Sequence, residues 1–588
     1  MKNYAPNAIL RELTKGLSMQ KGLILMLLTL CALWLPGKAF AVGSWTAMAN
    51  TTNDGIEICL LLPDGTVLAE GDNNNGTKWY SLSPDSNGHY VNSQWAPRAS
   101  SSWGHQTGST AVLDNGNVFV AGGENGNGTN KVEIYNTSGN YWTTAVNPAY
   151  FGDIYDGNAM LMPDGQVLIE PQHASAGYGN DTFLFNPNNN TFSQTTGAPL
   201  QGIAEATWVK LPDNNTLVID SDNSDFGGTT SEQYDPSTET WGDAQSGVPN
   251  IWPNFSDTLT NGSYIVSEMG PGFMLPNGNA IFFGGNGVTA VYNPNTSFWS
   301  QSATVPQGLA MWDAPGAMMV NGKILVAVSK PGNPFVSPNA VGPTSFFEYD
   351  YTANEGLGGF TQAPNAPSGY SQLTSRAGVL FMLDLPDGTV LLSGLGSRCW
   401  IYQPDGSPLP AGKPTIDSVT WNLDGTLHLT GTLFNGISGG ASYGDDSQMD
   451  SNWPLLRFTD SGGNVTYGST FNWSAIGGVQ TGSEVVSTDA NLSPEVDLVS
   501  GGTYSLQVVA NGIASNPVSF QGPVWVDFVN YNSFIQFGSF DFPYATIAQG
   551  VSAVSSGGTI AIDAGSQPSD GAVSAPYTIS TPMNIISV

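Results

Sequence analysis

Residues 111–123 read AVLDNGNVFVAGG: an apolar strand, an Asp-Asn-Gly turn, a second strand of buried-type residues and a Gly-Gly stop. This is a β-hairpin signature. Six relatives of it occur in the first 400 residues: LLLPDGTVLAEG (60–71), AMLMPDGQVLIE (159–170), WVKLPDNNTLVID (208–220), GFMLPNGNAIFFGG (272–285), AMMVNGKILVAV (317–328) and MLDLPDGTVLLSG (382–394). The turn residues fall at Gly65, Gly116, Gly165, Asn215, Gly278, Gly322 and Gly388, in steps of 44 to 66 residues. Seven hairpins at that period predict a seven-bladed β-propeller rather than a sandwich.

Each copy carries two further marks. A short strand ending near an aromatic residue follows the turn, as in VEIYNTS (132–138), FLFNPN (183–188), EQYDPS (232–237), AVYNPN (290–295) and WIYQPD (400–405). A Trp or Phe then follows in six copies, at Trp95, Trp142, Phe192, Trp241, Trp299 and Phe360. The seventh lacks it, whereas residues 43–47, GSWTA, look like the missing outer strand. Trp45 is therefore expected to close the last blade and remove the open edges of the ring. The hairpins and their period resemble kelch repeats.

Composition bounds the rest. Gly is 72 of 588 residues, charged residues are 11%, and helical periodicity is absent beyond residue 40, which suits an exported all-β chain. Residues 1–41 read as a signal peptide: Lys2, Arg11, Lys15 and Lys21, then an apolar run over 23–35, then Ala39-Phe40-Ala41 as the cleavage site. A retained anchor is the alternative, but the run is short for a span. The expected location is secreted or extracytoplasmic, with no transmembrane segment in the mature chain. A formal charge of −32 repels nucleic acid and anionic membranes. Cys59 and Cys399 fall in the first and seventh blades, neighbours once the ring closes. A Cys59–Cys399 disulfide across the seam is one expectation and two buried thiols the other.

The repeats end near residue 412. Residues 413–521 show short alternating strands between Gly, Asn and Asp turns, the pattern of an immunoglobulin-like sandwich. Residues 522–588 change again: PYATIAQGVSAVS (543–555) has helical spacing and GGTIAIDAG follows as a strand. This segment resembles the capping helix and first rung of right-handed β-helix (pectin lyase-like) proteins. The expected fold is thus all-β: propeller over 42–412, early-set sandwich over 413–521, and a β-helix-like segment over 522–588.

The blade motifs and the order of domains resemble galactose oxidase and the secreted copper-radical oxidases. The resemblance implies a copper ion held by two Tyr and two His, one Tyr crosslinked to Cys, a donor set suited to Cu(II). The matching positions hold other residues. Gly378-Val379 stands where the Tyr-His pair belongs, Thr107 or His105 where the crosslinked Tyr belongs, and Cys59 lies near the family cysteine without a Tyr partner. His428, the one His of the sandwich, sits early in an alternating strand. Copper is therefore not expected, nor any other resident cofactor.

Loops leading into each first strand gather at one mouth of a propeller. They present Trp103, His105, Asp153, Tyr155, Glu205, Trp252, Trp312, Asp313 and Arg376, aromatic faces beside carboxylates that suit a neutral sugar or a peptide. Packing between blades is the plainer role of the tryptophans. Asp220, Asp222 and Asp225, and Asp445 and Asp446 with Asp450, are candidate calcium ligands, against a plainer reading as solvated turns. The expectation is a non-catalytic protein binding an extracellular glycan or protein. The alternative is a carbohydrate-active enzyme: an oxidase, or a hydrolase using Glu205, Asp153 and Asp313.

Overall fold

The computed structural model describes residues 42–588 apart from 73–75, 124, 128–129, 146–151, 153, 155–156, 172–180, 198, 200–202, 204–205, 220–228, 243–244, 253–268, 332–340, 365–373, 423, 444–446, 493–497, 564–578 and 588. The signal-peptide reading of 1–41 lies outside the described residues. Among those described, no helix is long and apolar enough to cross a membrane.

Seven antiparallel blades of four strands each form the propeller, with a short fifth strand, Gln245–Ser246, added to blade IV. Blades I to VI begin with the inner strands Ile56–Leu61, Ser109–Val112, Ala159–Leu161, Trp208–Lys210, Gly272–Met274 and Pro315–Met318. Blade VII runs from Phe381–Asp384 through Val390–Ser393 and Trp400–Gln403 to Ser44–Ala47, so the ring closes on its N-terminal strand as expected. The turn of blade I explains the hairpin motif. Gly65 N donates to the Leu62 carbonyl (2.9 Å) and Leu62 N to that of Thr66 (2.7 Å), while Gly65 takes φ 78°. That is a three-residue loop with a left-handed closing position, which favours Gly. In blade IV the left-handed residue is Asn214 (φ 70°), one position before the Asn215 expected from the motif.

The aromatic marks are cross-strand pairs. Tyr135 faces Trp142, Phe185 faces Phe192, Tyr234 faces Trp241, Tyr292 faces Trp299 and Tyr349 faces Phe360, with ring centroids 5.0–5.4 Å apart. Trp45 makes the same pair with Tyr402 at 4.7 Å. Blade I replaces the aromatic partner with Leu82, opposite Trp95. Such pairs stabilise neighbouring strands beyond their buried area.

Residues 415–521 form an antiparallel sheet of eight strands around one core that includes Leu429, Phe458 and Leu506. One hairpin leaves this module for the propeller. Ala441–Tyr443 pairs with the inner strand of blade VI, Ala317 opposite Ala441 and Pro315 opposite Tyr443, and Ser447–Gln448 returns beside it. The hairpin also touches inner strands of blades II, III, V and VII, so peptide chain fills the central channel. Beyond the module, Val524–Val526, Thr559–Ile562 and Asn584–Ser587 pair in parallel. The short helix Ile547–Ala553, capped by Thr546 Oγ1, packs on them through Gly550, where a Cβ would come within 2.8 Å of Val526.

Candidate functional site

Inner strands start at the mouth and run toward the PDG turns, so residues just before or early in each inner strand share one face. On that face, Trp103 to Thr107 precede blade II, Asp313 precedes blade VI, Arg376 precedes blade VII and Glu57 begins blade I.

Trp103 is half-buried, with Lys131 Nζ 5.7 Å from its ring centre. His105 has no exposure. Its Nδ1 lies 2.8 Å from the Gly122 carbonyl and its Nε2 3.0 Å from Glu133 Oε2, and Glu133 also accepts from Ser102 N and Trp103 N. Burial alone would raise the Glu133 pKa, but these donors outweigh it and hold the carboxyl below its ordinary range. His105 therefore fixes the Trp103 loop from behind and presents nothing to the mouth, contrary to the expectation of a ligand-facing imidazole.

Two tryptophans depart from expectation as well. Trp252 is fully buried among Val248, Ile251 and Phe282, where its large apolar area is best used, and Trp312 is only 3% exposed, so neither ring is open to a ligand. Asp313 Oδ2 lies 3.7 Å from Arg376 Nη1, an ion pair that is neutral overall. Asp153, Tyr155 and Glu205 lie outside the described residues, as do Asp220, Asp222, Asp225, Asp445 and Asp446. Asp450 is not in a solvated acidic turn. It borders a small cavity in the channel with Lys210, whose ammonium donates to the Leu161 carbonyl. Burial pushes the Asp450 carboxyl up to about 7 and the Lys210 ammonium down to about 8. Among the described residues no three His, Cys, Asp or Glu side chains gather as a metal site.

Of the two readings of the seam cysteines, the structure has the thiols: Cys59 and Cys399 are buried and free. Cys59 Sγ is directed to Ser393 Oγ (3.7 Å) and the Glu57 carbonyl (3.5 Å), and burial pushes its pKa up to about 12. A thiol so held lacks the thiolate that makes cysteine reactive. With His105 committed to Glu133, and Gly378 and Val379 in a 3-10 turn, the described residues at these positions do not fit the copper-radical donor set.

The sequence reading missed the acidic pair of the mouth. Glu57 and Glu70 belong to adjacent strands of blade I. Glu57 Oε1 accepts from Gln106 Nε2 (3.0 Å), whereas Glu57 Oε2 has no hydrogen-bond partner among the described residues and the Glu70 carboxyl has only the Thr107 backbone N–H beside it. Burial raises Glu57 to about 7; burial and then the Glu57 charge raise Glu70 well above the carboxylate range. A mouth-end Glu recurs in blade III, where burial lifts Glu170 to about 8. The available signal was Glu in VLAEG and VLIEP, where the other copies carry Ala121, Ile219, Phe283, Ala327 and Ser393. Beside this pair Thr107 adopts φ 57°, and before blade VI Asp313 adopts φ 51°. Left-handed backbone is costly for non-Gly residues, above all β-branched ones, and clusters at functional sites.

The fold defines a kelch-type seven-bladed propeller, and residues 107–148 match the kelch motif. No curated protein sequence matches the chain. Among solved structures it is similar to a fungal alcohol oxidase of the AA5 family in complex with copper, at 13% identity and TM-score 0.45, covering 82% of this chain and 99% of that one. It is also similar to a catalytically inactive virginiamycin B lyase variant from Staphylococcus aureus with quinupristin, at 11% identity and TM-score 0.41, covering 62% and 100%.

Proposed function

We propose that the chain is an exported binding protein whose propeller mouth takes a neutral extracellular glycan or a protein segment, and that its second module is an early-set immunoglobulin-like sandwich. The observation that carries this reading is the commitment of His105 to Glu133, which leaves the half-exposed Trp103 ring, together with the Gln106 amide held by Glu57 and the Arg376–Asp313 pair, as an aromatic face among the described mouth residues. Aromatic faces with a few oriented polar groups bind ligands by stacking and hydrogen bonding. Trp103→Ala is expected to weaken glycan-array binding at least ~10-fold, the loss of one stacked contact, while Trp252→Ala should act through stability alone. Stoichiometric copper with a tyrosyl-radical absorption in purified protein would overturn this reading.

A second reading is favoured by the Glu57–Glu70 pair. A mouth carboxyl titrating near neutrality beside a still less acidic one is what general acid–base hydrolysis requires. Turnover of a chromogenic glycoside that disappears in Glu57→Gln would establish this reading in place of the first.

A further inference from the structure

A cavity of about 530 Å³ opens on the side opposite the mouth, between the turns of blades I and II and the second module. Its size falls within the range of ligand pockets, and such pockets favour domain interfaces. The propeller contributes Asp64, Arg98, Asp114 and Asn115, and the module contributes Phe471 and Asn472.

Arg98 donates its Nε proton to Ser81 Oγ (2.8 Å), and no described residue accepts from its two terminal nitrogens. The guanidinium thus keeps four N–H donors for something else. Asp64 accepts from Thr66 N (2.8 Å) and is also hydrogen-bonded by the Thr66 side chain. Phe471 is half-buried and makes no ring contact with another described aromatic residue. Asn472, exposed at φ 51°, is tied to Asp489 through Nδ2 (2.9 Å), which leaves its carbonyl oxygen as an acceptor.

The charge balance selects the ligand class. One Arg against two Asp disfavours an anion on a chain that carries −32, and the central guanidinium disfavours a cation. What fits is a neutral molecule with many hydroxyls and an apolar face: the lining offers both donors and acceptors, and the Phe471 ring supplies the platform. We propose that this cleft is a second binding site, for a neutral oligosaccharide, separate from the mouth.

The test uses the full chain and a set of neutral gluco-, galacto-, manno- and xylo-hexasaccharides, with an oligogalacturonide as the anionic control. Titration calorimetry is expected to find a neutral hexasaccharide that binds while the oligogalacturonide does not. Phe471→Ala and the exposed Asn115→Ala should each weaken it, by at least ~10-fold for the ring, and should do so equally in a Trp103→Ala background, where any contribution of the mouth is removed. Hydrogen exchange with bound sugar should slow at 114–117 and 469–473. No binding by any neutral hexasaccharide overturns the proposal. So does protection confined to 102–107 with loss in Trp103→Ala, a result that would uphold the mouth reading. Loss only in the cleft variants would instead count against the mouth as the glycan site.

Discussion

His105 and Glu133 show how a single buried pair sets the mouth. Both side chains are fully buried, and Glu133 gathers the imidazole and two loop amides. Removing the carboxylate strands all three donors, so Glu133→Ala is expected to cost about 3–5 kcal/mol in denaturant unfolding, as for one partner of a buried pair. Glu133→Gln keeps an acceptor and should cost less. Glu170 behaves oppositely. Burial holds its pKa near 8, so at pH 8 about half the molecules carry an unfavourable buried charge. Glu170→Gln should therefore stabilise the chain at pH 8, on the order of 2–4 kcal/mol by linkage, and be near neutral at pH 4.5. Equal effects at both values would show that folding does not raise the Glu170 pKa.

At the scale of elements, the closing strand Ser44–Ala47 is held by more than its ladder. Trp45 packs on Phe346 and Tyr402 at 4.9 and 4.7 Å and donates Nε1–H to the Pro364 carbonyl (2.7 Å). Trp45→Ala should lower stability by ~2–4 kcal/mol, somewhat under a fully buried aromatic truncation, and Trp45→Phe by less. Protease cleavage near blade VII should rise in parallel; unchanged stability would mean that closure does not depend on the aromatic pair. This strand was legible because its Trp repeats a local mark of the other blades. The channel hairpin was not. ASYGDDSQ reads as a polar turn, and its partner strand Pro315–Met318 lies more than 120 residues away, where no periodicity connects them. Trp252 and Trp312 misled for a related reason. Loop position predicts the mouth, but side-chain direction is set by the neighbouring blade, which a linear motif does not contain. Glu57 and Glu70 were passed over because they sit inside strands that are otherwise apolar, whereas the mouth was read from its loops.

For the whole molecule, the buried carboxyls make stability a function of pH. Glu57 and Asp384 titrate near 7 and Glu170 near 8 in the folded chain, all raised first by burial. A carboxyl whose pKa is raised on folding contributes stability that is complete below its unfolded pKa and is lost as pH rises through the folded value. These three groups therefore make the protein more stable at pH 5 than at pH 8. Glu133 and Asp489, held low by hydrogen bonds that outweigh burial, act in the other direction and lose their contribution only as pH falls through the carboxylate range. The melting temperature should accordingly peak near pH 5 and fall toward pH 8. Net charge has the same sign, since a chain at −32 repels itself less when acidified. Salt separates the two causes: screening at ~0.5 M weakens long-range repulsion but barely reaches buried groups. The fall between pH 5 and pH 8 should persist in high salt and flatten in the triple variant Glu57→Gln, Asp384→Asn, Glu170→Gln. The Asp384→Asn change keeps a carbonyl oxygen that can still accept from Ser451 Oγ, as the carboxylate does at 2.5 Å. A slope that salt alone abolishes, with the triple variant matching the parent, would assign the pH response to surface repulsion and not to the buried carboxyls.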